Sequence, residues 1–371
     1  MTTASGKKSL KKRIHVSVDP RIELLSIVLK LSGYGGLHEG RISDISSPYL
    51  HDVEEHFDRY SHHETIEYFR GINGIISGDL PVTIVLYLSE PPALGLQTPF
   101  DAMIQARVED ESVLKQYVAA LRKFAGDAEF TEFFRAHQEY YQSITALPEK
   151  SIQDGNYIEL LEEYYGAQQP GYFVIFAPLL KSIAFGPRVY WDNGALEPYC
   201  IFPSVGIENG LITFKEGKAL QNRILHEFGH SFVNPLVDRH QEELSHYTFL
   251  MQDIQYKTKA NYGIEWNVCV YEHVVRAVTT RLTRLEFGEE AGEQEMLAHE
   301  QQGFIYIRDI CDKLMEYEQS RNIYPAFVDF FSEIVNMFKE LSTSVVNREL
   351  ESGAPDTTDT IVNINQKRAA L

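Results

Sequence analysis

The sequence contains little cysteine, only Cys200, Cys269 and Cys311 among 371 residues. An odd number of widely spaced cysteines argues against a disulfide framework and is typical of a reducing compartment. Long apolar runs are also missing, since no stretch reaches the roughly 18 apolar residues of a membrane-spanning helix, and no membrane partner is expected. The first residues, MTTASGKKSLKKR, are basic, but no apolar segment follows them, so no signal peptide is predicted. We therefore expect a cytoplasmic protein, with a secreted form as the alternative if a leader has been removed.

Positive charge is scarce as well. Lysine and arginine number 34 against 53 aspartates and glutamates, which gives a formal net charge of −19. Such a chain repels a phosphate backbone, so nucleic acid is not an expected partner. The one basic cluster lies within residues 1–14, which we interpret as a flexible tail. With 44% hydrophobic and 23% charged residues, the composition is that of an ordinary folded protein.

Short apolar runs occupy the middle of the chain, between two regions of helical periodicity. The turn sequences DNG and ENG separate several of them. Turns of this composition favour β-hairpins, so we expect a small, mainly antiparallel sheet. Helices followed by a sheet and by further helices predict an α+β fold that is otherwise mostly α-helical. The apolar runs are residues 171–180, 188–191, 198–205 and 211–214.

The segment ILHEFGHSFVNP, residues 224–235, carries the clearest chemical pattern. His226 and His230 are four residues apart, so they lie on one face of a helix, where one tetrahedral metal ion can bind both imidazoles. Glu227 projects about 100° away from His226 and can take a proton from a zinc-bound water. Pro235 is expected to follow the end of this helix. The alternative is a pair of hydrogen-bonded histidines beside a surface glutamate.

This motif resembles the zinc-binding helix of the HExxH metallopeptidases, the zincins. The resemblance implies His226 and His230 as zinc ligands, Glu227 as catalytic base, and a small sheet that packs on the motif helix and binds peptide along its edge strand. The chain also looks like an uncharacterised bacterial group of HExxH proteins that carry a glutamate in a later helix. On this basis, a mainly helical region (15–168) precedes a zincin-like catalytic region (169–345) and a C-terminal tail (346–371).

A catalytic zinc needs a third protein ligand, and the known subfamily patterns do not supply it. The metzincin pattern requires glycine at 233 and histidine at 236, where this chain has Val233 and Leu236. Thermolysin-like enzymes place a glutamate about twenty residues after the second histidine, where this chain has Phe249 and Leu250. The substrate rules of those subfamilies therefore do not carry over.

Glu272 is the predicted third ligand. It lies 272 − 230 = 42 residues after the second histidine, on an otherwise apolar stretch of the next long helix, where a carboxylate needs a partner. Arg276 follows four residues later and can orient this carboxylate. The alternative is an ordinary surface ion pair between the two side chains. The rival ligands are His273, adjacent to Glu272, and then His240 and His246.

The sequence as a whole predicts a metallopeptidase with one Zn²⁺ per chain and a peptide or protein substrate. The reaction also needs a hydrogen-bond donor for the developing oxyanion, for which Tyr262 and Arg276 are the first candidates and Tyr190 and Tyr199 the next. Each tyrosine can equally be an ordinary core or rim residue. Two alternative functions stay open, a zincin-like metal-binding or interaction protein without activity and a zinc hydrolase of a non-peptide amide.

Overall fold

The computed structural model describes residues 14–33, 43, 45–72, 76, 78–108, 110–181, 184–252, 254 and 265–351. Most of the predicted N-terminal tail and of the predicted C-terminal tail lies outside these residues. The described part is mixed α/β and mainly helical, with a small sheet, as an α+β fold requires.

Helices account for most of the described chain on both sides of the strands. In chain order they are Pro20–Ser32, Pro48–Phe57, Glu64–Gly71, Leu80–Leu86, Ala102–Arg107, Glu111–Asp127, Phe130–Ala136, Gln138–Asp154, Tyr157–Tyr165, Gly217–Arg239, Gln241–Ser245, Trp266–Phe287, Glu289–Gln301, Ile307–Gln319 and Phe327–Glu351. We call Gly217–Arg239 the motif helix and Trp266–Phe287 the Glu272 helix. None of the described helices is both long and apolar enough to cross a membrane.

The first helix shows how strongly local sequence sets these boundaries. Asp19 caps it, because its side chain accepts a hydrogen bond from the Arg21 backbone N–H at 2.8 Å, and Pro20 occupies the first turn. The helix buries Glu23 completely, and the Tyr49 hydroxyl donates a 2.5 Å hydrogen bond to that carboxyl group. Burial raises the pKa of Glu23 to about 8, although the Tyr49 hydrogen bond lowers it.

The main sheet has four strands in the order β1-β2-β4-β3. They are β1 (Ile14–Ser17), β2 (Tyr172–Lys181), β3 (Arg188–Tyr190) and β4 (Leu196–Ser204). The pairs β1·β2 and β2·β4 are parallel, and only β3·β4 is antiparallel. The prediction of a mainly antiparallel sheet is therefore wrong. That prediction considered only hairpins between strands that are neighbours in sequence. In the structure, β1 pairs with β2 from more than 150 residues away, and β4 pairs with β2 as well as with β3.

The two predicted turns are hairpins, as expected. Gly194, with φ 80°, closes the turn between β3 and β4. Asn209 and Gly210, with φ 51° and 81°, connect β5 (Gly206–Glu208) to β6 (Leu211–Thr213) in a separate two-stranded ribbon. Positive φ at both central residues is the requirement of a type I′ turn, which explains the Asn-Gly sequence.

The chain divides into two compact units. The first comprises residues 1–158 and 169–228, and the second comprises residues 159–168 and 229–371. The first unit contains both β-structures, and its sheet packs on the motif helix, where the ring of Tyr172 lies 5.0 Å from that of Phe228. The predicted start of the catalytic region at residue 169 coincides with the return of the chain to the first unit. The functional division of the chain into a helical and a catalytic region stays a prediction.

Candidate metal centre

The motif helix runs from Gly217 to Arg239, and nearly all of its residues from 224 to 237 are buried. Ile224, Phe228 and Val237 are fully buried. Pro235 lies inside the helix, so the prediction that it follows the helix end is wrong. An internal proline costs roughly 3 kcal/mol. Burial of Val237 and of Leu236 offsets this cost, since each such side chain contributes about 1.5–3 kcal/mol.

The structure brings His226, His230 and Glu272 together. One ligand atom from each side chain lies within 4.8 Å of the other two, and this is the one group of potential metal ligands found among the described residues. His226 is 7% exposed, and the side chains of His230 and Glu272 are 12% and 16% exposed. The cluster can therefore hold a metal ion largely out of solvent, and it contains the three residues that the sequence predicted.

The orientation of His230 suits metal binding. Its Nδ1–H donates to Oδ1 of Asn234 at 3.0 Å, one helical turn later, which leaves the Nε2 lone pair for a ligand. Nε2 lies 3.5 Å from Oε1 of Glu272. Two ligands at about 2.1 Å in a tetrahedral zinc site are about 3.4 Å apart, so this spacing fits one shared ion. Sequence reasoning missed Asn234, although its i,i+4 position after His230 was a usable signal.

Arg276 fixes the other side of the Glu272 carboxylate. Its Nη2 and Nε contact Oε2 at 3.0 and 3.1 Å, so Oε1 remains directed at His230. The guanidinium also lies 4.3 Å over the ring of Phe304, and its Nη1 is 3.4 Å from Nδ1 of His299. These contacts direct the Arg276 guanidinium at Glu272, Phe304 and His299. They favour the predicted orienting role over the predicted role as oxyanion donor.

The rival third ligands do not join the cluster. His273 is 1% exposed, donates from Nδ1 to the Cys269 carbonyl oxygen at 2.7 Å, and packs edge-on against Phe304. His240 donates from Nδ1 to the Leu236 carbonyl oxygen at 2.8 Å. His246 is exposed and is likewise absent from the cluster.

Glu227 is 5% exposed and is held between two neighbours in the first unit. Nη1 of Arg223, one turn earlier in the motif helix, donates to Oε1 at 3.1 Å. On the other side lies the backbone of Gly186, where an added Cβ would stand 2.5 Å from Oε2. A side chain at this position would collide with the carboxylate, so glycine allows the chain to approach Glu227 this closely. The sequence offered no local signal for this contact.

Gly186 belongs to the edge of the sheet. Phe185 before it exchanges both backbone hydrogen bonds with Ile201 of β4, at 3.1 and 2.8 Å, and the Pro187 carbonyl after it accepts from Tyr199 N–H at 2.9 Å. Because successive residues of an extended chain point their backbone groups to opposite sides, the N–H and C=O of Gly186 face away from β4. The sheet thus presents backbone hydrogen-bonding groups beside Glu227.

Of the predicted tyrosine donors, the two that lie among the described residues have hydroxyl partners outside the cluster. Tyr262 lies outside the described residues. The hydroxyl of Tyr190 accepts a hydrogen bond from Arg188 Nε at 2.9 Å, and that of Tyr199 donates to Glu197 at 3.2 Å. Burial raises the pKa of Tyr199 well above its usual range. The identity of an oxyanion donor therefore stays a prediction.

Comparison with known proteins gives a family. The sequence of residues 14–337 matches the family described as "Domain of unknown function (DUF4932)". The chain belongs to this family. The match covers the motif helix, the Glu272 helix and all six strands. A search of the curated proteins found no match, and a search of the solved structures found none either.

Proposed function

We propose that this DUF4932 protein is a zinc-dependent peptidase. The observation that carries the proposal is the convergence of His226, His230 and Glu272, whose ligand atoms all lie within 4.8 Å of one another. Two imidazoles and one carboxylate form a ligand set of catalytic rather than structural zinc sites, because three protein ligands leave a fourth position open. The 3.5 Å between His230 Nε2 and Glu272 Oε1 is compatible with zinc–ligand bonds of about 2.1 Å.

A Zn²⁺ ion in this position would supply a Lewis acid that polarises a carbonyl group and lowers the pKa of a water molecule. Glu227 would act as general base, accept a proton from the attacking water and return it to the leaving amine. Its place directly after His226 and its low exposure of 5% support this role. Asn234 and Arg276 would hold His230 and Glu272 in their binding orientations.

The substrate would lie along Gly186. An extended peptide can pair with the outward-facing N–H and C=O of this residue, as peptides do when they add a strand to a sheet edge. Such pairing would bring the peptide backbone near Glu227, because the Glu227 carboxylate lies where a side chain of residue 186 would begin. This geometry favours a peptide over a compact non-peptide amide.

One observation favours the alternative of a metal-binding protein without activity. Arg223 pairs with Glu227 at 3.1 Å and so occupies one carboxylate oxygen of the proposed base. The second carboxylate oxygen faces Gly186, the residue along which the peptide would lie. We therefore retain the peptidase as the main proposal.

Metal content and peptide cleavage, measured on the same preparations, test the proposal. Glu272→Ala should lose zinc, whereas Glu265→Ala should keep it, because Glu265 is exposed at the start of the same helix and makes no side-chain capping hydrogen bond. Glu227→Gln should keep zinc but stop cleavage of a peptide library followed by mass spectrometry. Glu216→Gln, at an exposed residue just before the motif helix, is its matched control.

Three results would contradict the proposal. Wild-type protein without zinc, even after zinc is added back, would remove the metal site. Zinc without cleavage of any library peptide would leave the metal-binding alternative or a non-peptide amide as substrate. Cleavage at the wild-type rate by Glu227→Gln would exclude Glu227 as the base.

A further inference from the structure

A pocket of about 310 Å³ opens in the first unit beside the proposed base. Its wall is apolar at Phe202, Pro203 and Val205, and three cationic side chains, Lys181, Lys215 and Arg223, also line it. Pockets for small molecules span about 300–1,000 Å³, so this one suits a single side chain or chemical group rather than a whole peptide.

The charge of the pocket is opposite to that of the chain. Lysine and arginine make up only 34 of 371 residues and acidic residues 53, yet the described lining contains three cations and no acidic side chain. Partial burial lowers the pKa of Lys215, and the nearby positive charge of Arg223 lowers it further. A lining of this charge favours an anionic group over a neutral or cationic one in the pocket.

The pocket adjoins the proposed reaction centre at two points. Arg223 lines it and also contacts the Glu227 carboxylate at 3.1 Å. Ala184 lines it and precedes Gly186 by two residues on the edge of the sheet. Two residues of extended chain span about 6.6 Å, which places the pocket about one side chain's reach from a peptide paired at Gly186.

We propose that this pocket binds a carboxylate of the substrate, so that the peptidase acts on peptides with an acidic group next to the cleaved bond. The inference rests on the proposed function, because it takes Glu227 as the reaction centre. Two sources supply the same chemistry, the side chain of an aspartate or glutamate and the free carboxylate at a peptide's C-terminus. Charge-assisted hydrogen bonds to Lys181 and Lys215 hold either one, and the apolar wall packs on its methylene groups.

Matched peptides test the pocket by binding and by cleavage. One blocked peptide contains a central glutamate, the second has glutamine in its place, and a third has the glutamine and a free C-terminal carboxylate. Wild-type protein should bind and cleave one of the two anionic peptides at least about tenfold better than the neutral one. Lys215→Glu should abolish this preference, as should Lys181→Glu. Lys218→Glu, on a neighbouring exposed lysine outside the pocket, should retain it.

The two readouts separate this inference from the proposed function. Cleavage without preference for either anionic peptide overturns the carboxylate pocket and leaves the peptidase intact. Preferential binding that Lys215→Glu abolishes, without cleavage of any peptide, supports the pocket and overturns the peptidase. A preference that survives both charge reversals places the anion elsewhere and overturns the assignment of this pocket. Preference for the glutamate peptide identifies the side chain as the source, and preference for the free carboxylate identifies the terminus.

Discussion

Replacement of Gly186 by alanine tests whether the position of Glu227 limits the proposed reaction. The new Cβ would lie 2.5 Å from Oε2 of Glu227 and 3.0 Å from its carbonyl oxygen. Ordinary contact begins at 3.4 Å, so the carboxylate must retreat by 3.4 − 2.5 = 0.9 Å. A displacement of about 1 Å costs on the order of 100-fold in rate. We therefore expect kcat/KM to fall about 100-fold, which corresponds to about 2.7 kcal/mol of transition-state stabilisation.

The assay combines kcat/KM on a peptide from the library screen with zinc content and thermal unfolding of the same samples. Zinc should remain bound, because the three atoms nearest to the new methyl group all belong to Glu227, which is not a proposed ligand. Gly126→Ala is the matched control, since nothing lies within 4 Å of its added Cβ, and it should keep full activity. Wild-type activity in Gly186→Ala would refute the claim that the position of Glu227 limits catalysis. Loss of zinc would show instead that Gly186 supports the metal site.

Three further predictions concern metal affinity, pH and metal removal. Asn234→Ala removes the acceptor that orients His230 and should weaken zinc binding about 10- to 100-fold in a chelator competition; unchanged affinity would exclude this role. Burial raises the pKa of Glu23 from 4.5 to about 8, so the folded protein keeps a proton that the unfolded chain releases, and stability falls as the pH rises between these values. Glu23→Gln should remove this loss of stability and be more stable than wild type at pH 8 by about 4 kcal/mol. Equal urea midpoints for variant and wild type at both pH 5 and pH 8 would contradict this. A chelator should lower the unfolding temperature by a few degrees and added zinc should restore it, because ligands that bind only the folded state stabilise it; an unchanged temperature would argue against a bound metal.

The sequence predicted the local features well, for a physical reason. The spacing of His226 and His230 is a property of any helix, and the turn at Asn209 and Gly210 depends on residues that adopt positive φ easily. The prediction that Glu272 joins the histidines came from the cost of a carboxylate on an apolar helix face, which applies before any tertiary contact is known. The structure brings this residue to the cluster.

The errors concern features that distant partners decide. β1 has four residues, too few for a recognisable strand pattern, and it is a strand only because β2 is there to pair with it. The helix continues through Pro235 because burial of the residues after it outweighs the local cost of proline. Gly186 illustrates the same limit, since its importance comes from a residue 41 positions later (227 − 186) that no sequence pattern connects to it.

The contacts that orient the proposed site share one spacing. Arg223 contacts Glu227, His230 contacts Asn234, and Glu272 contacts Arg276, and in each pair the partners are four residues apart. Each functional group is therefore oriented in part by its own helix, and for Glu227 the edge of the sheet at Gly186 adds a second contact. The motif thus extends to RxxHExxHxxxN in one helix and ExxxR in the other. If these contacts orient the site, replacement of Asn234 should weaken zinc binding while the motif helix stays folded, because its contact with His230 lies within that helix. Replacement of Arg276 should weaken zinc binding too, and it also removes the contacts with Phe304 and His299 outside the Glu272 helix.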